Sequence, residues 1–254
     1  MVGKVNDVST GPLPPLPQSA VEDVRLCVYR SFRSAGRAPD AEQLADACHL
    51  GVHHVREALE RLHASRDIVL DADHDTVVMA HPFSSVPLGF VVMGERTLWW
   101  GGCAWDSFAI AHLLVDEPDV LVATRCPACS KPHAWVVGRD EPPAGDQLAH
   151  FLTPVAQIWD DVVRACRHQQ IFCDLSCLTS WLSRHGYREG YPMDLATLWR
   201  LARGWYAGRL ETGYVRREPT AAVAYFADVG LTGSFWGLPD LTTASVRSGP
   251  SPAR

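Results

Sequence analysis

The chain has no run of 18 apolar residues, no excess of positive charge and no glycine-rich phosphate loop. The first absence excludes a membrane-spanning helix of ordinary length. The opening residues, MVGKVNDVSTGPLPPLPQ, also lack the apolar stretch of a secretory leader, so the expected location is the cytoplasm. With 23 basic against 29 acidic residues the net charge is −6, which offers no electrostatic footprint for nucleic acid or an anionic bilayer. Nothing resembles a nucleotide cradle, and Ser107 lacks the setting of a nucleophile elbow. No internal repeat is evident, which argues against a solenoid or propeller.

What the chain does have is 254 residues, 47% of them hydrophobic, and eight cysteines. That length supports one large domain or two small ones with cores of their own. Cysteines in a reducing compartment point to metal binding or thiol chemistry before disulfides.

The proline-, glycine- and serine-rich residues 1–18 are expected to form a disordered arm, and the polar tail 241–254 a second one. Between them, residues 19–82 read as three helices and a hairpin, the order of a winged helix. Val24, Cys27, Val28 and Phe32 recur at helical spacing, Asp40 and Gln43 form a capping box, and Val55, Ala58, Leu59 and Leu62 mark a third helix. Ile68 to Leu70 and Thr76 to Met79, joined by a polar turn, form the hairpin. A DNA-reading module needs a basic face. Here Val21 to Arg66 holds seven acidic residues and seven arginines, so a structural role is expected and nucleic acid is not.

Residues 83–240 read as a small mixed or antiparallel sheet with flanking helices, which makes the whole chain α+β. Strands are expected over 88–93, 97–100, 120–124 and 134–137. Helices are expected over 107–114, 159–166, 176–185 and 195–209, and LTGSFWGL near residue 231 should strap the core.

The chemistry concentrates in GGCAWDSFAIAHLL. Cys103 opens a helix, where the positive end of the dipole favours ionisation of a thiol, and Asp106 shares its first turn. Cys126 and Cys129 form a CxxC, and Cys173 and Cys177 a CxxxC. Together, or with His133 as a substitute ligand, these could build a tetrahedral zinc site.

The apolar strand running into Cys103-Ala104-Trp105-Asp106 and then an apolar helix resembles the organomercurial (alkylmercury) lyases. Similarity covers residues 20–240 and is strongest from 96 to 115. The family also has a winged-helix-like part covering its core. The resemblance implies that Cys103 and Cys173 are the mercury-binding thiols and Asp106 the proton carrier in protonolysis of a carbon–mercury bond. Cys173 follows Phe172, as the family's second catalytic cysteine follows phenylalanine. It departs from the pattern in preceding Asp174 rather than another cysteine, so Cys166 is a rival for the role. Phe108, Ile110 and the nearby tryptophans would wall the pocket. The implied partners are organomercurial small molecules, with cellular thiols or a mercuric reductase accepting the Hg(II) that remains bound as product.

No organic cofactor is required. Structural zinc at Cys126, Cys129 and Cys177 is not favoured, because catalysis claims Cys173 and leaves the set one ligand short. The alternatives are a winged-helix metal sensor with a cysteine zinc site, or a diverged lyase-like enzyme acting on a non-mercurial substrate.

Overall fold

A computed structural model describes residues 15–240. Helix α1 (Gln18–Ala35) buries Val24, Val28 and Phe32 and stops at Gly36, whose φ of 68° is the left-handed conformation that glycine adopts without strain. Helix α2 (Ala41–Cys48) starts from the expected reciprocal Asp40–Gln43 box. Helix α3 (Val52–Ala64) buries Val55, Ala58, Leu59 and Leu62, the four residues the periodicity marks. Strands β1 (Val69–Leu70) and β2 (Val77–Ala80) form the antiparallel hairpin.

The hairpin is not the edge of a separate unit. β2 pairs with β3 (Phe83–Ser84), and β3 with β5 (Leu98–Gly101), which lies beside β4 (Phe90–Met93). β6 (Asp119–Arg125) and β7 (Pro132–Gly138) complete an antiparallel sheet in the order β1-β2-β3-β5-β4-β6-β7. The sheet therefore crosses the boundary expected at residue 82, and one apolar core runs from Val21 through Phe83 to Trp236.

Helix α4 (Ala104–Leu113) is buried on nearly every side, with Ala104 through Ala111 all inaccessible. A helix that is apolar all round belongs in the interior. It packs against the large sheet on one side and against α7 (Leu195–Trp205) on the other. The site at its N-terminus is consequently set on rigid elements.

A second sheet, β10-β8-β9, was not foreseen. It comprises β8 (Leu148–Phe151), β9 (Gln169–Phe172) and β10 (Tyr191–Asp194). β9 is buried throughout, glutamines included, so it carries no period-2 alternation to read. Helices α5 (Val162–Arg167) and α6 (Leu175–His185) flank it, and α8 (Pro219–Asp228) buries only Phe226. The helix expected over 195–209 ends at Trp205. Leu231 and Trp236 are buried, as the strap reading requires. The arm expected over 1–18 lies outside the described residues up to residue 14. Beyond that Leu16 is buried and Gln18 already opens α1, so its inner end is ordered. The tail from 241 lies wholly outside them. Among the described residues no helix is long and apolar enough to cross a membrane.

Candidate active site

Strand β5 delivers its last residues directly onto the first turn of α4. A Cβ on Gly102 would overlap Asp106 Oδ2 and Met79 Cε, and one on Gly101 would overlap the Ser107 hydroxyl. The two glycines are thus the condition for close approach. Cys103 caps α4: its Sγ accepts the Asp106 backbone N–H at 3.4 Å, and its carbonyl accepts the Ser107 hydroxyl at 2.6 Å.

Asp106 is 1% exposed and held from three directions. The Tyr206 hydroxyl donates to Oδ1, His81 Nδ1 lies 3.1 Å from Oδ2, and the Cys166 thiol points at Oδ2 from 3.9 Å. His81, Asp106 and Cys166 thus bring their donor atoms within 4.8 Å of one another, with the buried Cys103 thiol at the head of the same helix.

Burial pushes the Cys103 thiol well above its ordinary pKa, with neighbouring Cys166 and Asp106 adding to the rise. Neighbouring Cys103 pulls Cys166 down, but burial and Asp106 outweigh it and the net shift is upward. The easier ionisation expected of Cys103 from the helix dipole is therefore overruled by desolvation. Tyr206 is raised well above its ordinary value by burial and by Asp106, so it remains a donor.

Asp106, His81, Cys166 and Tyr206 face a cavity of about 380 Å³ whose apolar walls include Trp105, Trp159, Trp205 and Trp236. Phe108 and Ile110, expected as pocket wall, instead lie in the core, and Trp99 donates to the Phe32 carbonyl away from the cavity. Their helical or strand period marked them as buried without saying which void they bordered. Trp105 alone of the anticipated tryptophans lines it.

Cys173 is not in this group, which corrects the expected trio of Cys103, Asp106 and Cys173. It directly follows β9 and joins Cys126, Cys129 and Cys177, the four sulfurs all lying within 4.8 Å of one another. Cys173 Sγ is 3.5 Å from Cys129 Sγ and 3.4 Å from His133 Nε2. Cys129 is lowered to about 7, chiefly by the Lys131 backbone N–H bonded to its sulfur. The rival reading, Cys166, supplies the thiol beside Asp106, because α5 precedes β9 and faces α4 across the core. His81 and Tyr206 escaped sequence reasoning. His81 read only as a segment boundary, and nothing in GWYAG marks Tyr206 as a partner for a residue 100 positions earlier.

Two buried thiols near a buried carboxyl, with Cys166 and Asp106 both lining the cavity, define a site that can bind a soft cation and move one proton. The sequence model of the alkylmercury lyase (MerB) family matches residues 83–207. That segment, just under half of the chain, is similar in sequence to the alkylmercury lyases. A crystal structure described as the mercury-bound form of MerB2 shares its fold, with a TM-score of 0.55 and 21% identity over 74% of this chain and 89% of that one. No curated protein matches the chain.

Proposed function

We propose that the protein cleaves carbon–mercury bonds by protonolysis, with Cys166 and Cys103 as the sulfur ligands and Asp106 as the proton carrier. The observation that carries this reading is the Cys166 thiol pointing at the buried Asp106 carboxyl on the wall of a tryptophan-lined cavity, with Cys103 capping the helix that holds Asp106.

A mercurial enters as R–Hg–SR′. Cys166, which lines the cavity, displaces R′S⁻ and gives it the thiol proton, leaving R–Hg–S–Cys166. Cys103 then passes its proton to the Asp106 carboxylate as its sulfur joins the metal. A second sulfur donates electron density to mercury and weakens the bond to carbon. Asp106 delivers the proton to that carbon, the carbon–mercury electron pair forms the new C–H bond, and RH departs. Hg(II) stays on two thiolates and Asp106 is again a carboxylate. The sum is R–Hg–SR′ plus two thiols giving RH, R′SH and a mercury dithiolate.

Both thiols start protonated, as their raised pKa values imply, so each ligand exchange moves a proton that the next step uses. The tryptophan walls accommodate the organic group and keep water from competing for the proton. Tyr206 and His81 fix the carboxyl so that one oxygen faces the thiols.

The cycle closes when external thiols, or a mercuric reductase, take the Hg(II) by thiol exchange. It uses no organic cofactor, and it needs both cysteines reduced, which suits the cytoplasm. The test is incubation of the purified protein with phenylmercury and excess thiol: benzene should appear catalytically, and mercury release without benzene would refute the reading.

A further inference from the structure

We propose that Cys126, Cys129, Cys173 and Cys177 hold a structural Zn(II) ion, at a site separate from the dithiol beside Asp106. The absence of zinc expected from the sequence depended on Cys173 belonging to the reaction, and Cys173 lies with the other three instead.

The four sulfurs come from two elements shaped for a metal. Cys126 and Cys129 sit in the turn joining β6 to β7. Cys126 N–H bonds the Lys131 carbonyl at 2.9 Å and its own carbonyl accepts the Ser130 N–H at 2.8 Å. Ser130 adopts a φ of 63°, and the turn brings its two thiols into the same cluster. Cys173 closes β9 and Cys177 lies in the first turn of α6, whose start is fixed by Asp174 accepting the Cys177 N–H at 2.8 Å.

A tetrahedral zinc with bonds of about 2.3 Å requires sulfurs about 3.8 Å apart. The observed set, all within 4.8 Å and one pair at 3.5 Å, needs only small adjustment. Two disulfides would instead divide the cluster into pairs, and all four sulfurs are mutually close. His133 Nε2, 3.4 Å from Cys173 Sγ, is placed to donate to that thiolate as an outer partner.

The location explains what a metal would do there. Cys126, Phe172, Leu178 and Trp181 form a small core of their own, detached from the main one. A core of four residues is too small to fix the packing of a helix by itself. Zinc would tie α6 and the end of β9 to the β6–β7 turn. This proposal does not depend on the lyase reading.

The test is elemental analysis of the full chain, expressed with added zinc and purified under reducing conditions without chelators, together with Co(II) reconstitution. One zinc per chain is expected. Co(II) should give sulfur-to-metal charge-transfer bands in the near ultraviolet and intense tetrahedral bands in the visible. Cys103→Ser and Cys166→Ser should each retain the full zinc content, while Cys126→Ser and Cys177→Ser lose it. Wild-type protein that takes up neither metal, a mass four hydrogen atoms lighter from two disulfides, or zinc lost on Cys166→Ser would overturn the assignment. Because the wild-type Co(II) spectrum needs no variant, misfolding of a cysteine mutant leaves the test intact.

Discussion

The Cys166 thiol points at Asp106, with 3.9 Å between Sγ and Oδ2, although 60 residues of chain separate them. That contact joins α5 to the first turn of α4 and gives the carboxyl a sulfur neighbour. It also gives a thiol and a proton carrier a common view of the cavity.

Asp106→Ser should separate binding from turnover. With both sulfurs in place the variant still captures a mercurial. Losing the proton carrier should lower the single-turnover rate by roughly 10²–10⁴, the usual range for one positioned acid–base group. Quenched-flow detection of hydrocarbon, beside mercury retention on a desalting column, measures the two quantities. Weakened capture with unchanged chemistry would contradict the assigned role.

Tyr206→Phe removes one donor from Oδ1 without touching a mercury ligand. A hydrogen bond of this kind contributes about 1–2 kcal/mol, so kcat should fall roughly tenfold while KM for the mercurial stays near wild type. A change confined to KM would place Tyr206 in substrate binding instead.

Gly102→Ala should be more damaging than its single methyl suggests. The added Cβ overlaps the Asp106 carboxylate and the buried Met79, so both must shift. Overpacking of this sort destabilises by about 1–3 kcal/mol. The midpoint of urea unfolding should drop, and activity should fall further than stability because Asp106 is the atom group displaced.

His150 makes stability depend on pH. It is fully buried between the rings of Phe172 and Trp181 with no protein partner on either ring nitrogen, and burial holds its pKa down at about 4. An unfolded histidine titrates near roughly 6.5. Between those values the unfolded chain binds a proton that the folded chain refuses, so stability is complete above the upper value and declines as pH falls toward the lower one. The loss approaches about 3 kcal/mol. Urea midpoints at pH 7, 6, 5 and 4.5 should show the decline, and His150→Leu should flatten it.

The fold was legible where period and capping agree. Helix α3 exposed its buried face through Val55, Leu59 and Leu62, and Asp40 with Gln43 announced the start of α2. The second sheet was not, because Gln169 and Gln170 break any alternation while being buried themselves. At the site, Cys103 and Asp106 were readable as neighbours because one helical turn joins them. The second thiol depended on tertiary placement. Cys166 and Cys173 are seven residues apart, α5 and β9 carry them to opposite ends of a four-residue strand, and a local aromatic-cysteine pattern cannot reveal which end meets α4. Tyr206 and His81 were invisible for the same reason.

The sharpest test of the account compares Cys166→Ser with Cys173→Ser in single-turnover cleavage of phenylmercury, with folding of each variant checked by circular dichroism. Hydroxyl is a poor ligand for a soft metal. Cys166→Ser should therefore release no benzene, whereas folded Cys173→Ser, which leaves Cys103, Asp106 and Cys166 untouched, should release it at near the wild-type rate. Normal benzene release by Cys166→Ser beside an inactive but folded Cys173→Ser would contradict the account.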